Sequence, residues 1–138
     1  MKLKLVDVKL AKKLKEIGFK VNTEYFYSLN ESTGKYDVLP RMYQEGKTTG
    51  TLESNYKTGL LHDTFPAPEI YLVAKWLEEK YKIYVIPNYT DIVENKWYSM
   101  ICNKTTGERY EGNAEFKTPE IAVLDGITEI INGDYWLK

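Results

Sequence analysis

The 138-residue chain holds a single cysteine, Cys102, so no internal disulfide can staple the fold. Cys102 lies in an apolar alternation, and a small buried hydrophobe is the expected role. Histidine is as scarce, with His62 alone. A zinc site would have to be completed by carboxylates or Cys102, and no spacing in the chain brings such ligands together, so no metal and no cofactor is expected. A histidine-based triad has neither a serine elbow nor a cysteine signature to complete it. Long apolar runs are also missing, the longest being a few residues against the roughly 18 to 20 that span a bilayer. Met1-Lys2-Leu3-Lys4-Leu5-Val6 contains no hydrophobic signal core, and a cytoplasmic location is expected. The Asn-x-Ser/Thr triplets at Asn30, Asn88 and Asn103 are then turn composition only. Nor is there an excess of one charge: Lys+Arg 19 against Asp+Glu 20 leaves a net charge of -1 and a pI near 5.9. Proteins that neutralise phosphates normally show a domain pI above about 9. Bulk nucleic-acid binding is disfavoured.

What is present suits one folded domain spanning residues 1–138: 43% of the residues are apolar and 14% aromatic. Leu10, Ala11, Leu14 and Ile17 recur at helical spacing between a capping Asp7 and a terminating Gly18. Seven lysines against Asp7 and Glu16 make the first 20 residues +5. From Thr23 to Val38, two strand-favouring groups flank Asn30-Glu31-Ser32-Thr33-Gly34, a β-hairpin pattern. Pro40 to Pro66 has no sustained period and reads as a long loop with one short strand. Pro66-Ala67-Pro68 opens a second helix with Pro68 in the first helical position. Its stripe is Ile70, Val73, Ala74, Leu77 and Tyr81, with Trp76 off the centre. Strands then follow at Ile83 to Ile86, ended by Pro87, at Trp97 to Cys102, and at Tyr110 to Phe116. Thr118 caps a last helix ended by Asn132-Gly133, and the tail Tyr135-Trp136-Leu137 docks on the core. The fold class is α+β, an antiparallel sheet with helices packed on one face. Residues 1–66 carry the helix, hairpin and loop, and residues 67–133 an α-β-β-β-α unit.

Sequences that carry chemistry are few. Gly46-Lys47-Thr48-Thr49 resembles the end of a phosphate loop, but Arg41 stands where that loop needs its first glycine. Glu78 and Glu79 are adjacent and diverge on a helix, and Glu78 has Lys82 four residues on for an ion pair. Tyrosine, at 12 of 138 residues, is the more informative excess, because a half-buried ring with a wet polar tip anchors interfaces. Tyr84, Trp97, Tyr98 and Tyr110 are the candidate binding aromatics. The α-β-β-β-α order matches double-stranded RNA-binding domains, which touch phosphates with basic residues at the start of the last helix. Here that helix opens Phe116-Lys117-Thr118-Pro119-Glu120, one lysine followed by an acid.

Three segments resemble a diverse set of small uncharacterised proteins of Bacteroidetes bacteria and their phages. They are Ala11-Lys12-Lys13-Leu14-Lys15-Glu16-Ile17-Gly18, then Pro66-Ala67-Pro68 leading to Lys75-Trp76-Leu77-Glu78-Glu79-Lys80-Tyr81-Lys82-Ile83, and Phe116-Lys117-Thr118 leading to Gly126-Ile127-Thr128-Glu129-Ile130-Ile131. In that set the last helix opens with an acidic pair and Ala, where this chain has Pro119-Glu120-Ile121-Ala122. The resemblance implies a phage or prophage accessory protein and brings no catalytic residues with it. The expected function is a non-enzymatic binding module acting on a host protein. The alternatives are a nucleic-acid binder using the basic N-terminus with Lys104, Arg109 and Lys117, or a small nucleotide-binding or enzymatic protein using Arg41, Lys47 and His62.

Overall fold

The computed structural model describes residues 4–40, 64–112, 114–133 and 135–137. Of these, about 32% are helical and 34% are in strands, with three helices and two three-stranded antiparallel sheets, so the protein is α+β. The chain forms two compact units, residues 5–69 and residues 1–4 with 70–138. Arg41, Lys47, His62 and nearly all of the expected 40–66 loop lie outside the described residues.

In the 5–69 unit, α1 (Val8–Glu16) begins where the Asp7 carboxylate accepts the Leu10 N–H at 2.8 Å. Lys13 and Lys15 occupy its last turn, beside the negative end of the helix dipole. Gly18 then turns the chain at φ 98°, a left-handed conformation that suits glycine. Leu10, Ala11 and Leu14 are buried, and Ile17 is half-buried. The hairpin forms from β1 (Tyr25–Asn30) and β2 (Lys35–Pro40), in register from Tyr25↔Pro40 to Asn30↔Lys35. Asn30 builds its turn by accepting the Ser32 N–H on its side-chain oxygen, and Gly34 takes φ 71°. The free side of β1 is completed by β3 (Thr64–Pro66), with Tyr27 opposite Phe65. Tyr27 is buried, and its hydroxyl donates to the Val6 carbonyl.

Residues 66–69 correct the expectation of a helix opened by Pro68. Pro66 belongs to β3, the Pro68 carbonyl accepts the Val6 N–H at 3.0 Å, and Glu69 forms a bridge with Leu5. Extended pairing with residues 5–6 holds this stretch out of the helical region, which the residue before a proline already disfavours.

In the other unit, α2 (Ile70–Tyr81) passes through Lys82, at φ 58°, directly into β4 (Ile83–Asp91). The Lys82 ammonium donates to the Glu79 carbonyl at 3.3 Å, and the expected ion pair with Glu78 is not among those formed by the described residues. Trp76 is buried with Ile70, Val73 and Leu77, a wider arc than the sequence stripe; its ring meets the Tyr81 ring edge-on at 5.4 Å. β5 (Lys96–Asn103) and β6 (Arg109–Glu111) complete the sheet in the order β4-β5-β6. α3 (Pro119–Asn132) starts at Thr118, whose hydroxyl accepts the Ile121 N–H at 3.2 Å.

Two strand expectations need correction. β4 continues through Pro87 to Asp91 instead of ending at Ile86. The Lys104 N–H donates to the Lys82 carbonyl at 2.9 Å, so by alternation the backbones of Ile83, Val85 and Pro87 face away from β5. Proline is tolerated at such an edge position because no ladder donor is lost there. The third strand is only Arg109–Glu111, and Phe116 returns as an isolated bridge to Trp97. The tail differs in part: Tyr135 is 61% exposed and bonds through its hydroxyl to the Glu108 carboxylate, whereas Trp136 and Leu137 are half-buried.

Candidate functional site

Residues opposite one another in antiparallel strands share a face, and successive residues alternate. The register Tyr84↔Cys102, Ile86↔Met100, Asn88↔Tyr98, Met100↔Glu111 and Cys102↔Arg109 therefore gathers these residues on one face. Val85, Ser99, Ile101 and Tyr110 share the other face, and so does Trp97, opposite Tyr89. α3 packs on that second face. A Cβ on Gly126 would stand 2.6 Å from the Val85 side chain, and the Ser99 hydroxyl donates to Asp125 at 3.3 Å. The first face is accordingly the outer one.

The four aromatics selected from the sequence thus divide into pairs: Tyr84 and Tyr98 on the outer face, Trp97 and Tyr110 on the α3 side. Tyr84 and Tyr98 are half-buried. The Tyr98 hydroxyl accepts from the Asn88 amide at 3.1 Å, which fixes its tip. The Lys104 ammonium lies 5.9 Å from the Tyr84 ring centroid, within reach of a cation–π interaction. Between them Ile86 is 42% exposed, across from a buried Met100. Arg109 lies across Met100, its guanidinium 3.4 Å from the sulfur and 3.6 Å from the Glu111 carboxylate. Cys102 is half-buried on this face instead of filling the core. Two of the three basic residues named from the sequence, Lys104 and Arg109, border the outer face, whereas Lys117 is exposed at the head of α3.

Trp97 sits toward the turn of the β4–β5 hairpin, its ring meeting Tyr89 edge-on at 5.6 Å. Backbone bonds with Phe116 of 2.8 and 2.7 Å hold it. Its indole N–H is buried without an acceptor among the described residues. Tyr110, on the edge strand β6, is 41% exposed.

Sequence reasoning missed Ile86 and Met100, because ending β4 at Pro87 hid the alternation that aligns them with Tyr98. An open groove of about 390 Å³ runs beside β4, lined by Tyr71, Ala74, Lys75, Glu78, Glu79 and Tyr84, among others. Burial and the nearby Glu120 carboxylate push the Tyr71 hydroxyl above its ordinary range. Among the described residues, no three His, Cys, Asp or Glu side chains gather as metal ligands, and no helix is long and apolar enough to cross a membrane. No family model, no curated protein and no solved structure matches the chain. The functional reading rests on the residues themselves.

Proposed function

We propose that the protein is a non-enzymatic accessory module of the kind encoded by Bacteroidetes phages and prophages, binding a host protein in the cytoplasm through the outer face of the C-terminal sheet. One observation carries this reading. Tyr84, Ile86 and Tyr98 share the face opposite α3 with Met100 and Arg109. Tyrosine, methionine and arginine are the residues enriched at protein interfaces, since each covers apolar area while keeping a polar or polarisable end. The test is affinity capture from a bacterial host lysate by the tagged protein, with and without nuclease. The reading expects a nuclease-resistant partner that is lost from the Tyr84→Ala/Tyr98→Ala double variant. Capture unchanged by that variant, or turnover of a substrate by the purified protein, counts against it.

A second reading, nucleic-acid binding, is favoured by Lys104 and Arg109 bordering the same face as Tyr84 and Tyr98. Aromatic rings that stack bases beside cations that meet phosphates are the general means of holding single strands. Binding of single-stranded RNA at low ionic strength, weakened by Lys104→Ala and Arg109→Ala and falling steeply with salt, would favour it over the first.

A further inference from the structure

At the turn end of the β4–β5 hairpin the surface changes character. Val93 is 86% exposed, and Ile92 and Tyr89 are each 52% exposed. Branched aliphatic side chains are seldom left at a turn tip, where solvent reaches them from all sides and turn geometry favours small polar residues. The tip is nonetheless well ordered by its own bonds. The Asp91 carboxylate accepts the Val93 and Glu94 N–H groups at 3.0 and 3.2 Å, and Asn95 takes the left-handed conformation at φ 55°. Beneath it, the edge-on Tyr89–Trp97 pair stiffens the hairpin. Ile92 and Val93 are thus held out on a preorganised turn, so a partner need not supply the entropy cost of ordering them.

The charges around the tip have one predominant sign. Asp91, Glu94 and Glu115 are there, Glu115 accepting the Thr90 hydroxyl at 2.9 Å; against them stands Lys96, 3.3 Å from Glu94. We infer that this tip is a docking element that inserts Ile92 and Val93 into an apolar pocket rimmed by Lys or Arg on a folded protein partner. The aliphatic pair supplies the buried contact, and the carboxylates supply orientation and electrostatic steering toward a basic rim. An anionic bilayer would be repelled by the same carboxylates. The inference concerns a surface separate from the outer face, so Tyr84 and Tyr98 variants leave it intact and each reading can fail alone.

The test uses a randomised ankyrin-repeat library, whose concave face is a folded protein surface, selected against the full chain. Binders that map to the tip, carry Lys or Arg around an apolar centre and weaken with salt are expected. They should lose roughly tenfold or more in affinity for Ile92→Ser/Val93→Ser, lose affinity for Glu94→Lys, and be unaffected by Tyr98→Ser. All the substituted tip residues are exposed, and matching melting curves verify the fold of each variant. Binders that map elsewhere, that are insensitive to Ile92→Ser/Val93→Ser, or that lack basic residues overturn the inference. So does flotation of the wild-type protein with phosphatidylcholine–phosphatidylglycerol vesicles that is lost with Ile92→Ser/Val93→Ser.

Discussion

Single side chains in this protein have consequences that separate sharply by surroundings. Gly126 allows α3 to approach the sheet, and an alanine there would place its Cβ 2.6 Å from Val85 and 3.1 Å from Ser99. Overpacking of this kind costs about 1 to 3 kcal/mol, so Gly126→Ala should lower the denaturation midpoint of the C-terminal unit. The indole N–H of Trp97 provides the opposite case. Because it makes no bond among the described residues, Trp97→Phe removes a buried unpaired donor while keeping an aromatic ring. Its effect on stability should stay within about 1 kcal/mol in a denaturant titration. Tyr27 links stability to pH. Burial first, and then the Asp7 charge, raise its pKa above the ordinary 10.0. The folded state therefore keeps a proton that the unfolded chain releases. That contribution is complete below the unfolded value and is lost as pH rises from there through the folded value. The melting temperature should fall in that alkaline range, and Tyr27→Phe should flatten the part of the fall that belongs to Tyr27.

The starts of α1 and α3 and the first hairpin turn were the features most legible in the sequence, because their signals are local. Asp7 and Thr118 cap α1 and α3 as their spacing predicts, each accepting an N–H three residues on. Thr118→Ala should cost about 1 kcal/mol and speed hydrogen exchange of the Ile121 amide. The turn at Gly34, with φ 71°, was equally readable. Strand limits were not. Pro87 looks like a terminator in one dimension, yet it sits with its nitrogen on the free edge of β4, and only the choice of β4 as an edge makes that tolerable. Pro68 fails as a helix opener for a similar reason, since pairing of residues 5–6 with 68–69 overrides a local preference of the kind that puts proline at helix starts.

At the scale of the whole molecule, charge is distributed unevenly, with +5 in the first 20 residues and -6 in the remainder. The acid-flanked hairpin tip belongs to the second group. Raising ionic strength should therefore weaken a partner docked on the tip, while a contact made by the outer face through Tyr84, Ile86 and Tyr98 should change little. For a nuclease-resistant protein partner, salt dependence separates the two surfaces without a structure of the complex; a nucleic acid held by Lys104 and Arg109 on the outer face would weaken with salt as well.

The sequence by itself determined the α+β class, the three helices, the hairpins and the capping residues, because each depends on periodicity or on residues within a few positions of one another. It also selected Tyr84, Trp97, Tyr98 and Tyr110 as aromatics worth attention. Which of them share a surface was decided only by tertiary structure. The register of β4 on β5, and the face on which α3 packs, put Tyr84 and Tyr98 on the outer face and Trp97 and Tyr110 on the inner one. A shift of one residue in that register would exchange the faces, since strand side chains alternate with period two. The register is held by burial of Val85, Ser99 and Ile101 beneath Gly126 and its neighbours on α3. Those residues lie far along the chain from the ones they position, beyond the reach of any local pattern.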